Sequence, residues 1–126
     1  MIIYKNLNIR KIHKKSVIAI GNFDGLHLGH QKVLNQAKLK AKKENTKFGV
    51  ISFEPIPTMF FNKDIKYHRI NLLDQKIYYF KKIKLDFLII IHFNKSFSNM
   101  SADHFIKKIL VNKLKSKYIF VSRNFR

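Results

Sequence analysis

The hydrophobic positions of the chain form two patterns: short unbroken apolar runs, and longer stretches in which apolar residues recur every three or four positions. The unbroken runs predict four buried strands, at residues 16–20, 47–53, 86–92 and 117–121. The run at 86–92 is apolar almost throughout, which is typical of a strand covered on both faces of a parallel sheet. A further short strand at residues 2–4 is only weakly patterned.

The stretches with helical spacing lie between these runs and predict three helices. The first extends from His27 to Lys43, with lysines on its polar face. The second is expected to follow a long loop, to have Asp74 as its N-cap and to extend to Lys84. The third begins at Ser101 and carries an apolar stripe along one side.

The alternation of strands and helices predicts an α/β fold, a Rossmann-like parallel sheet of the nucleotidyltransferase type with helices on both faces. A length of 126 residues and a mass of 15.0 kDa fit one domain over residues 1–126. No helix is predicted after the last strand. We therefore expect either that this strand lies at a sheet edge or that the chain is a fragment, incomplete at its C-terminal side.

The composition excludes several classes of function. The chain has no cysteine, so thiolate zinc sites, disulfides and cysteine nucleophiles are excluded. No apolar run approaches the ~18 residues of a membrane span. The N-terminus lacks the pattern of a secretory signal peptide. These features predict a cytoplasmic protein with no membrane partner.

The net charge of +19 raises nucleic acid as a candidate partner. Lysine supplies most of this charge, with 22 lysines against 4 arginines, and it is scattered along the chain. Dedicated nucleic-acid binders use arginine for bidentate contacts with bases and phosphates. Lys, Asn and Ile, which all have A/T-rich codons, are abundant together, so we attribute the charge mainly to genome composition. It should still attract small polyanions such as nucleotides.

The segment from Ile20 to Gln31 carries the most specific chemistry. It joins a predicted strand to a predicted helix through a turn with two glycines, and ligands of open α/β sheets bind at such strand ends. Unpaired N–H groups at the helix start favour phosphate. His27 and His30 would share one face of the first turn, with Gly29 leaving room for a nucleotide. A zinc site would need a third ligand, and an ordinary pair of surface histidines is the simpler alternative.

The element His27-Leu-Gly-His30 resembles the His-x-Gly-His signature of the nucleotidyltransferase superfamily, and Gly21-Asn-Phe-Asp-Gly25 directly precedes this segment. More specifically, they resemble the bacterial bifunctional riboflavin kinase/FAD synthetase family. Further elements of that family follow in order, and the resemblance covers about residues 15 to 126. These elements are Phe53-Glu-Pro-Ile-Pro57, Leu72-Leu-Asp-Gln-Lys76, Phe93-Asn-Lys-Ser-Phe97, Ser101-Ala-Asp-His-Phe105 and Val121-Ser-Arg-Asn-Phe-Arg126.

The resemblance implies transfer of AMP from ATP to FMN, giving FAD and pyrophosphate, with Mg²⁺ accompanying the ATP. His27 and His30 would be the catalytic residues, acting on phosphate oxygens. The ATP side would be formed by Gly21, Asn22, Phe23, Asp24 and Gly29. The vicinity of the flavin or nucleotide would include Phe53, Glu54, Pro55, Pro57 and Asn124. No protein ligand to the metal is assigned.

Three departures from the family pattern bear on activity. Ile56 stands where the family usually has His, and Ser122 replaces a Gly after the last strand. The sequence stops at Arg126, before the family's arginine-bearing Ser-Ser-Thr element and its riboflavin kinase domain. We therefore expect half of an adenylyltransferase site, with weak or no activity unless a separate chain carrying the missing elements completes it.

Two other functions stay open. A different His-x-Gly-His nucleotidyltransferase would prefer another nucleotide such as CTP, although the glycine-containing turn and the Pro-x-Pro element disfavour it. A catalytically dead remnant or a basic nucleic-acid-binding module would bind DNA or RNA with steep salt dependence and no flavin affinity. The remaining histidines match no motif and are expected at the surface or its boundary. They are His13, His68, His92 and His104.

Overall fold

A computed structural model of the chain describes residues 1–23, 28–54, 66–92 and 99–122. The strands are β1 (Ile2–Tyr4), β2 (Val17–Ile20), β3 (Phe48–Glu54), β4 (Phe87–His92) and β5 (Tyr118–Val121). The helices are α1 (Leu28–Glu44), α2 (Lys66–Lys82) and α3 (Ala102–Phe105), which continues as a π-helix over Ile106–Lys113. All five strands are parallel and form one sheet in the order β1-β4-β3-β2-β5. The predicted α/β fold is confirmed.

The burial of the strands follows their place in the sheet. Every residue of β2 and β3 is buried, because each of these strands has a hydrogen-bonded neighbour on both sides and is covered on both faces. The outer strands β1 and β5 are partly exposed. Within the described part of the chain β5 therefore lies at an edge of the sheet, which is one of the two outcomes expected for the last strand.

Two hydrophobic clusters cover the two faces of the sheet, because alternate residues of each strand point to opposite sides. One face carries Ile18, Ile20 and Ile51 and is covered by the helical segment that begins with α3. The other face carries Val17 and Val50 and is covered by α1 and α2. The sheet is thus enclosed between two layers, and both clusters extend to the ends of the strands where a site can form.

The start of α2 differs from the prediction. The helix begins at Lys66, so Asp74 is an exposed residue of the helix interior and not its N-cap. The apolar spacing continues upstream of Asp74 through Ile70 and Leu73, in phase with Ile77. The continued apolar spacing favours a longer helix more strongly than one aspartate favours a helix start at Asp74. An exposed aspartate inside a helix costs little stability.

The environment of His13 is a second correction. This residue was expected at the surface or its boundary, yet it is only 4 % exposed. It ends a 3-10 turn (Lys11–His13) before β2, and its ring stacks on Phe87 with centroids 4.5 Å apart.

No helix in the described ranges is long and apolar enough to cross a membrane.

Candidate functional site

The carboxyl ends of β2 and β5 meet where the strand order reverses. From β2 the chain proceeds through β3 to β4 on one side, whereas β5 returns to pair with the other side of β2. Ligands of open α/β sheets bind in the crevice outside the strand ends at such a switch point. The turn after β2, which the sequence predicts as the ATP side, is therefore located where this topology places a ligand.

Gly21 lies against Ser122 across this crevice. The Gly21 N–H donates to the Ile51 carbonyl at 3.2 Å, and the Ser122 N–H donates to the Ile20 carbonyl at 2.9 Å. A Cβ atom on Gly21 would lie only 2.7 Å from the Cβ of Ser122, a distance that real Cβ atoms do not show. The serine that replaces the expected glycine thus still allows the close approach, because residue 21 is itself a glycine.

Asn22 follows Gly21 and is tied to the neighbouring strand β3. Its carbonyl oxygen accepts a hydrogen bond from the Ser52 hydroxyl at 3.4 Å. The Asn22 side-chain oxygen is buried and has no hydrogen-bond partner among the described residues. A buried amide oxygen of this kind favours a ligand or cation that would satisfy it.

Phe23 anchors the turn to the α1 and α2 layer. It has a positive φ of 50°, which is unusual for a bulky residue, and its side chain is fully buried. Its ring meets the rings of His30 and Phe80 edge-on, with centroids 5.4 Å and 5.9 Å apart. Because this side chain is buried, Phe23 contributes to the candidate site by holding the backbone of the turn in position. A contact between Phe23 and ATP stays a prediction.

His30 lies in the first turn of α1, at the helix end that carries the positive pole of the dipole. Its exposure is 8 %, and the ring is held against Phe23. Gly29 beside it is exposed. The structure therefore brings Gly21, Asn22, Phe23 and His30 together at one strand end, as their spacing predicts.

The end of β3 contributes Phe53 and Glu54. Phe53 turns towards the opposite layer, where its ring lies 6.2 Å from that of Phe105. Glu54 is 7 % exposed, and it is the one buried carboxylate among the residues the structure describes. Five of the predicted site residues lie outside the described ranges: Asp24, His27, Pro55, Pro57 and Asn124.

Lys76 was not predicted as a site residue. It lies on α2, and its exposure of only 2 % makes it one of the largest fully buried side chains of the described chain. The sequence carried a signal, since Lys76 closes the Leu72-Leu-Asp-Gln-Lys76 element and shares the apolar face with Ile77, Phe80 and Leu73 at helical spacing. Helical periodicity alone does not distinguish a buried lysine from one that extends to solvent.

The described residues offer no cluster of three or more His, Cys, Asp or Glu side chains that could hold a metal ion. A shallow, open depression of about 420 Å³ lies where α3 begins. Asn99, Met100, Ser101 and His104 line it. The Ser101 hydroxyl oxygen accepts a hydrogen bond from the His104 N–H at 3.1 Å and so caps α3.

The fold and this strand end together define an α/β protein of the nucleotidyltransferase type. A family model described as FAD synthetase matches residues 9–126, and the chain belongs to that family. Among solved structures, one titled as a macrolide-efflux protein from Streptococcus pneumoniae superposes with a TM-score of 0.70 at 22 % identity. The match covers 95 % of this chain and 40 % of the other, and it supports the fold alone.

Curated relatives carry the name bifunctional riboflavin kinase/FMN adenylyltransferase. The chain is 44 % identical over 119 residues to the protein of Buchnera aphidicola subsp. Schizaphis graminum, and 37 % identical to that of Haemophilus influenzae. It is 34 % identical over 125 residues to the protein of Escherichia coli K12. These matches cover 94 % of this chain but only 38 to 40 % of each relative. The chain therefore spans well under half the length of the relatives it matches.

Proposed function

We propose that this chain forms the FMN adenylyltransferase part of an FAD synthetase, which transfers AMP from ATP to FMN and releases pyrophosphate. The observation that carries the proposal is the position of His30. It lies at the start of α1, beside the turn that follows β2, at the switch point of a parallel sheet. Membership of the FAD synthetase family and the name of the curated relatives support the same reaction.

The reaction needs no covalent enzyme intermediate. A phosphate oxygen of FMN attacks the α-phosphorus of ATP and forms a new P–O bond, while the bond between the α- and β-phosphates breaks and pyrophosphate leaves. The protein then contributes position and charge stabilisation. His30 and its partner His27 donate hydrogen bonds to phosphate oxygens, and the N–H groups at the start of α1 add to this stabilisation.

The remaining predicted residues take supporting roles in this proposal. Gly21 allows close approach of the backbone, Asn22 offers an amide, and Phe23 holds the turn in place; Asp24 and Gly29 complete the ATP side. Phe53, Glu54, Pro55, Pro57 and Asn124 lie near the flavin or nucleotide. Mg²⁺ would accompany the triphosphate and would neutralise part of its charge. The buried Asn22 side-chain oxygen is of the type that this hard cation prefers, and it has no hydrogen-bond partner among the described residues.

The same proposal covers organisation and location. Residues 1–126 correspond to the adenylyltransferase domain and contain none of the riboflavin kinase domain. Elements beyond these residues, or on a separate chain, complete the triphosphate grip. The reaction takes place in the cytoplasm. The basic charge serves to attract ATP and FMN and is not an adaptation to nucleic acid.

The test is a chromatographic assay of FAD formed from FMN, ATP and Mg²⁺, with CTP as the competing nucleotide. We expect weak turnover with ATP and none with CTP, and we expect His27→Ala and His30→Ala to abolish it. His13→Ala removes a buried histidine at the other end of the sheet and is the matched control. If turnover is undetectable, calorimetry must still show ATP binding that His30→Ala weakens. A folded chain that binds neither ATP nor FMN would contradict the proposal.

A further inference from the structure

Among the side chains that the structure describes, Lys76 is the one buried lysine. Its exposure is 2 %, and its ammonium group is enclosed. Removing an ammonium from water costs several kcal/mol even after the protein relaxes. Lysine is abundant at the surface of this chain, where it carries no such cost. A buried lysine therefore needs a reason that genome composition does not provide.

The direction of α2 shows where this charge lies. In a parallel sheet, the helix between two strands runs opposite to them, so α2 begins at the carboxyl end of the sheet. Phe80 of α2 meets the Phe23 ring of the turn after β2. Lys76 precedes Phe80 by one helical turn, and side chains on a helix lean towards its N-terminus. Lys76 therefore lies on the side of Phe80 that is nearer to the carboxyl end of the sheet.

The surroundings of Lys76 fit a fixed charge at the candidate site. Phe23 links Phe80 to His30, so α2, the turn and the start of α1 pack as one unit. Lys76 is engaged in an interaction within the protein. The ammonium group is therefore held in place and is not a mobile surface charge.

We propose that Lys76 is a buried positioning residue that supplies fixed positive charge behind the turn after β2 and so favours binding of the anionic part of the substrate, a triphosphate or pyrophosphate. This inference rests on the proposed function, because it takes the turn to be the phosphate-binding segment. A charge in the interior is poorly screened by water and salt, so it acts over a longer distance than a surface lysine.

Calorimetry with ATP, pyrophosphate and adenosine separates this role from simple packing. In Lys76→Met we expect affinity for ATP and pyrophosphate to fall about tenfold, roughly the effect of one charge about 10 Å away at a protein's effective dielectric. Affinity for adenosine, which carries no charge, should stay within about twofold. Lys81→Met, an exposed position on the same helix, is the control and should change none of the three affinities.

Lys76→Gln provides a second neutral variant in case Lys76→Met does not fold, which thermal melting will show. Equal losses of ATP and adenosine affinity, or failure of both neutral variants to fold, would show a structural role and overturn the inference. Unchanged ATP affinity in a folded variant would overturn it alone and leave the proposed function intact. A wild-type chain that binds neither ATP nor pyrophosphate would overturn both.

Discussion

Two buried histidines, His13 and His30, lie at opposite ends of the sheet and on opposite faces. His30 is at the carboxyl end, in the α1 and α2 layer, where its ring meets Phe23 of the turn after β2. His13 is at the amino end, where its ring stacks on Phe87 and meets Tyr4 edge-on. Both are less than a tenth exposed, so burial alone does not tell a histidine at a site from a structural one.

The hydrogen bonds of His13 show a structural role. The Arg10 N–H donates to the Tyr4 hydroxyl oxygen at 3.1 Å, which leaves the Tyr4 proton for His13 Nδ1, 2.7 Å away. The His13 carbonyl accepts from the Ser16 hydroxyl at 2.6 Å. This arrangement suits a neutral ring that carries its proton on Nε2. His13 thus fastens the segment after β1 to the sheet.

The comparison teaches that the two histidines differ in their position in the topology, which makes only His30 a candidate site residue. At the amino end of the sheet, the polar groups of Tyr4 and His13 form hydrogen bonds with groups of the protein itself. The carboxyl end has the switch point, the start of a helix and a buried asparagine oxygen, which are features that favour a ligand. Four predictions, the last of them a pH experiment, test this difference between the two ends.

The largest expected effect is at the amino end. A Cβ atom on Gly49 would overlap the Phe87 ring on which His13 stacks. In Gly49→Ala we expect a loss of about 3 kcal/mol of unfolding free energy, because the Phe87 ring is packed between neighbouring side chains and has no room to move. Denaturant unfolding measures it. Adding Phe87→Leu should recover part of the loss, and a Gly49→Ala chain as stable as the wild type would show that this end is not tightly packed.

The next effect sets the two histidines against each other. His13→Ala removes a stacked ring and leaves the Tyr4 hydroxyl without its acceptor, so we expect a loss of about 2 kcal/mol of stability. ATP affinity should be unchanged at a temperature where the variant is folded. His30→Ala should show the opposite balance, with the larger change in ATP affinity. Melting and calorimetry on both variants decide, and equal ATP losses would remove the distinction between the two ends.

A smaller effect is expected at Gly21. Gly21→Ala places a Cβ against Ser122, which directly follows the edge strand β5. An edge strand moves more easily than a central strand, so we expect a loss of about 1 kcal/mol of unfolding free energy. The displaced turn should also weaken ATP binding. Ser122→Gly in the same chain should restore both properties, because it removes the atoms that clash. A double variant no better than Gly21→Ala would show that the two residues are not in contact.

The smallest effect is the pH dependence contributed by His13. Burial lowers the pKa of His13 below its ordinary 6.5; Asp86 opposes this, and Lys47 and Arg10 add to it. The unfolded chain therefore takes up this proton near pH 6.5 and the folded chain only at lower pH. The contribution of His13 to stability is complete above about pH 6.5 and falls as the pH drops below it. The free energy of unfolding should be measured from pH 8 to pH 5, roughly the range where histidine titrates. It should change less with pH in His13→Gln than in the wild type.

Much of the architecture could be predicted because it is local. The apolar runs predicted the four strands at 16–20, 47–53, 86–92 and 117–121, and the helical spacing predicted α1 closely. The start of α2 was wrong by about two turns, since a single Asp74 was given more weight than the continuing apolar spacing. The turn at Gly21 and the histidine spacing predict a phosphate site at this strand end, because strand ends and helix starts have fixed chemistry in this fold class, and that site stays a prediction.

The sequence by itself determined the parallel α/β architecture and the segment that carries the candidate chemistry, because periodicity and short motifs act over a few residues. Only the tertiary structure decided that β5 pairs with β2 and brings Ser122 against Gly21. It also decided that His13 and Lys76 are buried. The physical reason is that the burial of a side chain, its pKa and the electrostatic potential around it depend on which distant segments pack against it. No local sequence pattern encodes those neighbours.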